Sequence, residues 1–205
     1  MLRETKQYEE EVKASLKKYF QNLKKKVEIV SQWIPFKEEG EVGKYSPRVD
    51  IAVGPFAYGD KQYIQEYDKL TNISRELLNK FFNLFRENSK NFSFCSEIPT
   101  DCNELNKINQ NARCFMAIEI EKSGSRKHRI GDIVNACSLG RVGIIIAWDL
   151  SVLRSFLKIT EYFSFLKGKR KPTYETRNLV IVSKEQFSES LCYIKSDSSE
   201  EANHL

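Results

Sequence analysis

Three acidic side chains occupy positions in the sequence where a buried β-sheet would not ordinarily place them. Asp50 lies in the apolar segment PRVDIAVGP, and Glu119 and Glu121 lie in CFMAIEIEK, separated by one residue. Residues i and i+2 of a strand point to the same side, so both glutamates should project from one face. If the two strands pair, Asp50 can approach the same point.

Such a cluster predicts a metal site. Three carboxylates in one place repel one another and lose hydration unless a divalent cation compensates their charge. Oxygen ligands with open positions favour hard cations, so we expect Mg²⁺ or Mn²⁺ to be held by Asp50, Glu119 and Glu121. The alternative is that Glu119 and Glu121 form the solvent face of an edge strand beside Lys122. The next strand, Val142–Trp148, is nearly continuously apolar and therefore favours an internal position.

The elements that must position these acids alternate between strands and helices. Apolar residues at steps of three and four predict a first helix over residues 6–26, with Thr5 as its N-cap. Residues 27–36 and 49–56 predict an antiparallel hairpin, with turn chemistry at Gly40 and Gly43. The remaining pattern predicts strands at Cys114–Glu121, Val142–Trp148 and Leu179–Ser183, and helices at Lys127–Leu139 (capped by Ser123 or Ser125) and Ser151–Leu166.

This order predicts an α/β fold with a central mixed β-sheet flanked by helices. Residues of about 58–110 carry apolar positions at helical spacing and a polar segment, which we interpret as a helical insertion. We expect a single domain over residues 1–195 and a polar C-terminal tail over residues 196–205 (SDSSEEANHL).

Composition excludes several classes of protein. The 205 residues carry a net charge of +5, and 40% of them are hydrophobic, which is enough for a core. The five cysteines form no CxxC pair, which argues against a structural zinc site. The N-terminus lacks a secretion signal and no apolar segment approaches the ~20 residues of a membrane span, so we expect a cytoplasmic protein without membrane contact. An unrelated α/β enzyme is disfavoured because the GxGxxG, P-loop and GxSxG motifs are absent.

An acid in a hairpin strand, an acidic pair at the end of the next strand, and then a helix and a strand resemble the layout of the PD-(D/E)XK nuclease superfamily, the restriction-endonuclease-like fold. The resemblance extends over the topology of residues 1–185. In it, Asp50 matches the metal-binding aspartate and Glu119 the acidic residue of (D/E)XK. Glu121 falls where that motif has lysine, which makes this an ExE variant. Lys122 and Lys127 are the candidate catalytic lysines nearby.

The resemblance implies cleavage of phosphodiester bonds in DNA by a metal-activated water, with Asp50 and Glu119 holding the cation. Glu121 would ligate it directly or through water, and could accept a proton. An acid of the first helix (Glu9, Glu10 or Glu11) sometimes completes such sites. Cutting both DNA strands would need two subunits, which suggests a homodimer. The missing in-register lysine leaves an alternative, a catalytically inactive nucleic-acid-binding or assembly protein on the same fold.

Two basic segments are candidates for binding nucleic-acid phosphates. The first follows the acidic strand and contains Arg126, Lys127, His128 and Arg129 at a helix start, where cations oppose the helix dipole. The second, Lys167–Lys171, contains Lys169 and Arg170. For both segments the alternative is an ordinary solvated loop.

Overall fold

The computed structural model describes residues 2–35, 46–94, 98–99 and 101–200, with side chains described from residue 4 to residue 192. The expected turn at Gly40 and Gly43 and the last five residues of the chain lie outside the described residues. The helices are α1 (Leu2–Asn22), α2 (Ile64–Ile73), α3 (Arg75–Asn91), α4 (Arg126–Leu139), α5 (Leu150–Gly168) and α6 (Lys184–Glu200). The strands are β1 (Ile29–Trp33), β2 (Val49–Val53), β3 (Cys114–Glu121), β4 (Gly140–Ala147) and β5 (Leu179–Ser183), and a short 3-10 helix spans Cys102–Lys107.

The five strands form one mixed sheet in the order β1-β2-β3-β4-β5. The pairs β1–β2 and β2–β3 are antiparallel, whereas β3–β4 and β4–β5 are parallel. The predicted α/β fold with a central mixed sheet flanked by helices is therefore confirmed. The parallel half follows from the helical crossovers α4 and α5.

Three clusters of buried apolar residues cover the two faces of the sheet in the described part of the chain, and the alternation along β4 assigns its side chains to two of them. Ile144 and Ile146 join the core formed with α1, α2, α3 and α6, whereas Ile145 and Ala147 join the core formed with α4 and α5. Every residue of β4 is buried, because a strand covered on both faces has no solvated side.

The first helix differs from its prediction at both ends. It begins at Leu2, so Thr5 lies inside the helix instead of capping it. It ends near Asn22, where Lys24 adopts a left-handed conformation with φ of 54° and the Lys25 amide donates back to the Phe20 carbonyl at 2.9 Å. A left-handed residue that redirects the chain in this way is a common helix terminator.

The helices between β2 and β3 are fixed to the sheet by a buried arginine at the start of β4. Arg141 is fully buried, and its Nη1 donates to the carbonyls of Leu105 and Ile108 at 3.2 and 3.0 Å. Its Nη2 pairs with Asp68 of α2 at 2.9 Å. Three segments of the chain thus converge on one guanidinium, which satisfies backbone carbonyls that would otherwise be buried without donors.

The last helix was not predicted, and it replaces part of the expected tail. Helix α6 runs to Glu200, so residues 196–200 are helical. Its start is a capping box: Ser183 Oγ accepts from the Gln186 amide at 3.2 Å, and Gln186 Oε1 accepts from the Ser183 amide at 2.9 Å. Phe187 and Leu191 then join the core beside α1 and α3. Among the described helices, none combines the length and apolar character that a membrane span requires.

Candidate metal centre

The site lies where β2 and β3 stop pairing through their backbones. Their register runs from Val53↔Met116 to Ile51↔Ile118. One position further, the Asp50 amide donates to Glu119 Oε2 at 3.2 Å, and the Ile120 amide donates to Asp50 Oδ2 at 2.8 Å. Carboxylates thus take the place of backbone acceptors, and Asp50 and Glu119 lie side by side, as the sequence predicted.

Asp50 is linked to the first helix through Gln32 of β1. Gln32 Nε2 donates to Asp50 Oδ1 at 3.0 Å and to Glu9 Oε1 at 3.3 Å. Gln32 has a φ of 52°, a strained conformation for a residue with a side chain. Burial raises the pKa of both acids, and the Asp50 charge adds to the increase at Glu9. Glu9 is therefore the acid of α1 that reaches the cluster.

The two other candidate acids of α1 point elsewhere. Glu10 pairs with Lys13 at 3.1 Å, and Glu11 accepts a hydrogen bond from Gln7 at 3.0 Å, both on the exposed surface. Glu10 and Glu11 lie on the solvated face of the helix, because Tyr8 and Val12 occupy the opposite face, which packs against the core.

Glu119 is the most deeply embedded acid of the cluster. Its side chain lies on the face of β3 that α4 covers, and only 6% of the residue is exposed. Burial raises its pKa well above the ordinary value, and the charges of Asp50 and Asp132 raise it further. Hydrogen bonds from the Asp50 amide and from Asn135 of α4 partly offset this increase.

Glu121 is held by the turn that leaves β3. Its Oε1 accepts hydrogen bonds from the amides of Ser123, at 2.6 Å, and Gly124. A Cβ at position 124 would overlap the Glu121 carboxylate. Glycine at this position therefore lets the backbone approach the acid closely. The same face of β3 thus presents both Glu119 and Glu121, as strand alternation predicted.

Two residues of α4 complete the cluster, and one of them was missed in the sequence. Glu121, His128 and Asp132 each offer a ligand atom, and these atoms lie within 4.8 Å of one another. Of the predicted ligands, Asp50 and Glu119 line the same cleft but lie outside this group of described residues. His128 Nδ1 is 3.8 Å from Asp132 Oδ1. Ser125 caps the helix by accepting from the His128 amide at 3.3 Å, which fixes where α4 begins. The signal for Asp132 was its i, i+4 spacing from His128 on a helix that starts just after the acidic strand.

Asp132 is the residue that most requires an additional partner. It is 7% exposed, and its Oδ2 is buried without a hydrogen-bond partner. Burial raises its pKa to about 8, with the charge of Glu121 as the next cause. A buried, unpartnered carboxylate oxygen facing other acids is costly unless a proton or a cation satisfies it. The donor set of carboxylates and one imidazole fits a divalent cation.

Of the two lysines expected near the metal, one lines the cleft and the other does not. Lys122 lines the margin of the cleft, but its ammonium pairs with Glu4 of α1 at 2.5 Å and stands 4.4 Å from the centre of the Trp148 ring. As the residue after Glu121, it points to the other side of the strand. Lys127 is exposed, and it is not among the described residues that line the cleft.

The basic residues predicted to bind phosphates lie on different parts of the surface. His128 faces the cleft, whereas Arg126 and Arg129 lie against α5, where Arg129 Nη1 donates to Ser155 Oγ at 2.6 Å. Lys169 and Arg170 are exposed just after α5. The phosphate-binding prediction thus concerns three separate surfaces.

The acids and His128 line one open cleft of about 680 Å³, together with Arg48, Ser46 and Lys122. Chemically, such a cleft can hold a hard cation between β2, β3 and α4, and Arg48 offers a positive charge at its edge. A clustered, partly desolvated set of acids with raised pKa values is typical of functional sites. Comparison of the chain with protein-family models, curated proteins and solved structures finds no match.

Proposed function

We propose that this protein is a divalent-metal-dependent nuclease that hydrolyses phosphodiester bonds in DNA, built on a restriction-endonuclease-like fold. The observation that carries the proposal is that Asp50, Glu119, Glu121 and Asp132 line one cleft, in which the Asp132 Oδ2 is buried without a hydrogen-bond partner. A strand order with an antiparallel hairpin joined to a parallel pair supports the fold assignment. To cut both strands of a duplex, two copies would act as a homodimer.

The acids supply the metal ligands in this proposal. Asp50, Glu119 and Glu121 offer oxygens from the sheet, and Asp132 and His128 offer ligands from α4. Both Asp50 oxygens already accept hydrogen bonds, but a carboxylate has about four lone-pair sites and can still bind a cation. A bound Mg²⁺ or Mn²⁺ would supply a water of lowered pKa and compensate the charge of the phosphate.

The protein side chains would orient the substrate and move the proton. Glu121 stands where the resembling family has lysine, so it cannot stabilise the phosphate as a cation, but it can accept a proton from the attacking water. His128, whose side chain is 59% exposed, can bind the cation through one ring nitrogen and donate a hydrogen bond to a phosphate oxygen from the other. Lys122 would act as a positioning residue that holds the start of α1 against β3 through Glu4 and Trp148.

A second candidate function is a nucleic-acid-binding or assembly protein without catalysis. Two observations favour it: the Lys122 ammonium is engaged by Glu4, and both oxygens of Asp50 are satisfied within the protein. In that case the cleft would bind no metal.

Incubation of the protein with supercoiled plasmid in Mg²⁺ and in Mn²⁺ tests the proposal. We expect nicked and linear products, and Asp50→Ala should lower the rate by more than about 100-fold because a metal ligand is lost. Glu10→Ala, which removes an exposed acid of α1, is the matched control. Absence of cleavage by the folded wild-type protein in both metals would favour the non-catalytic function.

Binding of the metal can be tested without DNA. Mn²⁺ should raise the unfolding temperature of the wild-type protein, because a ligand that binds only the folded state stabilises it. Glu119→Ala should abolish this increase. If Mn²⁺ leaves the unfolding temperature unchanged in the wild-type protein, the acid cluster is not a metal site.

A further inference from the structure

A second groove, of about 640 Å³, lies between α4 and α5. Four cationic side chains line it, together with serine hydroxyls and the Tyr162 ring; the cations are Arg126, Arg129, Arg154 and Lys158. We refer to these four residues and the space between them as the basic groove. No acidic side chain is among the described residues that line it.

In the part of the chain that the structure describes, the cations of the basic groove contact a hydroxyl and aromatic rings. Within the described ranges, none of the four forms an ion pair with an aspartate or glutamate. Arg129 donates to Ser155 Oγ, yet its Nε is buried without a partner, and its guanidinium lies 5.9 Å from the centre of the Phe156 ring. A guanidinium held against a neighbouring helix in this way is pre-oriented toward the groove.

The arrangement works against the stability of both helices. Arg126 and Arg129 lie in the first turn of α4, where positive charge opposes the helix dipole. Arg154 and Lys158 stand at positions i and i+4 of α5, where like charges destabilise a helix. Four cations gathered without acids, at positions where each pair is unfavourable, indicate a surface that binds an anion.

The spacing favours a chain of anions over a single small one. Arg154 and Lys158 are separated by about 6 Å along the axis of α5, and Arg126 and Arg129 form a second row on α4. Two facing rows of cations can track the successive phosphates of a nucleic-acid backbone, which releases counterions as each phosphate is neutralised. The serine hydroxyls add donors of the kind that contact phosphates.

The basic groove and the metal centre share helix α4. His128 and Asp132 lie on the face toward the cleft, whereas Arg126 and Arg129 lie on the face toward α5. Arg129 directly follows His128 in α4, so the two sites are adjacent on this helix. A strand whose scissile phosphate occupies the cleft can therefore continue into the basic groove.

We infer that the basic groove binds backbone phosphates of duplex DNA that flank the phosphate in the metal centre, with Arg154 and Lys158 as the contacts contributed by α5. This inference rests on the proposed function for the choice of DNA. The charges of the groove indicate an anion-binding surface whether or not the metal centre is catalytic, so DNA binding there can be tested separately from catalysis.

The experiment measures binding without cleavage, by fluorescence anisotropy of a labelled 20-base-pair DNA duplex in EDTA. The variant Arg154→Gln/Lys158→Gln should bind about 10-fold more weakly at ~0.1 M salt, and the slope of log affinity against log salt should fall by about 2. Both side chains are exposed, so the fold should tolerate the change. Lys17→Gln/Lys18→Gln, which removes two exposed cations of α1, should reduce the affinity less than 2-fold.

Three results would distinguish the groove, its choice of DNA and the proposed catalysis from one another. Equal DNA affinity in the wild-type protein and the groove variant would overturn the inference and leave the metal-dependent activity untouched. Preferential binding of an RNA duplex of the same sequence would overturn the assignment to DNA. Loss of DNA binding in the groove variant, in a protein whose Mn²⁺-linked stabilisation is absent, would support the groove while contradicting the proposed catalysis.

Discussion

Gly124 sets the distance between the backbone of the β3–α4 turn and the carboxylate of Glu121. A methyl group at position 124 would overlap that carboxylate, which lies at the end of a flexible side chain. We therefore expect Gly124→Ala to displace the Glu121 carboxylate, to lower the affinity for Mn²⁺ by about 10-fold, and to change stability by less than about 1 kcal/mol. Calorimetric titration with Mn²⁺ and urea unfolding in EDTA measure the two effects.

The control is a glycine of the adjacent helix that has space around it. A Cβ at Gly131 would meet nothing within 4 Å. Alanine is the better helix former, so Gly131→Ala should stabilise the protein by about 0.5–1 kcal/mol and leave Mn²⁺ binding unchanged. If Gly124→Ala bound Mn²⁺ as tightly as Gly131→Ala, Glu121 would not be a ligand.

At the scale of single residues, strand positions were predictable where helix positions were not. The two-residue period of β3 places Glu119 and Glu121 on one face whatever the rest of the fold does, and Asp50 follows if β2 is the neighbouring strand. Asp132 lies on an amphipathic helix, where an acid ordinarily faces water. Only the way α4 packs back against β3 buries it, and that packing is a tertiary property.

The capping box at Ser183 determines where β5 ends and α6 begins. We expect Ser183→Ala to destabilise the protein by about 1 kcal/mol, because the Gln186 amide loses its acceptor at a buried helix start. Ser15→Ala, an exposed serine within α1, should change stability by less than about 0.5 kcal/mol. Chemical denaturation of both variants measures the difference. An equal effect of the two substitutions would mean that the cap contributes nothing.

At the scale of elements, apolar strands were located closely and polar helices poorly. The predicted bounds of β3 and β5 agree with the structure, since both segments are mainly apolar and have polar residues on either side. Helix α6 was missed because its sequence is rich in serine and charged residues, and its few apolar positions gain their burial from α1 and α3. The Ser183–Gln186 signature was the local signal for it.

The acid cluster makes the stability of the whole molecule depend on pH. Burial raises the pKa of Glu9, Asp50 and Glu119, and it raises that of Asp132 to about 8. Between the ordinary acid pKa of about 4 and a pH of about 8, the folded protein thus holds protons that the unfolded chain releases. Its stability must therefore fall as the pH rises through this range when metal is absent.

Replacing Asp132 by asparagine removes one contribution to this dependence. In EDTA we expect the wild-type protein to lose about 1–3 kcal/mol between pH 5 and pH 8, and Asp132→Asn to lose less and to be the more stable protein at pH 8. Asp60→Asn, at an exposed acid, should follow the wild type. Urea unfolding at several pH values measures these differences.

Adding Mn²⁺ at pH 8 should make the wild-type protein more stable than Asp132→Asn, because the cation replaces the protons of the wild-type cluster and finds a weaker site in the variant. If the wild type were as stable at pH 8 as at pH 5 without metal, its acids would be compensated within the protein and would need no cation.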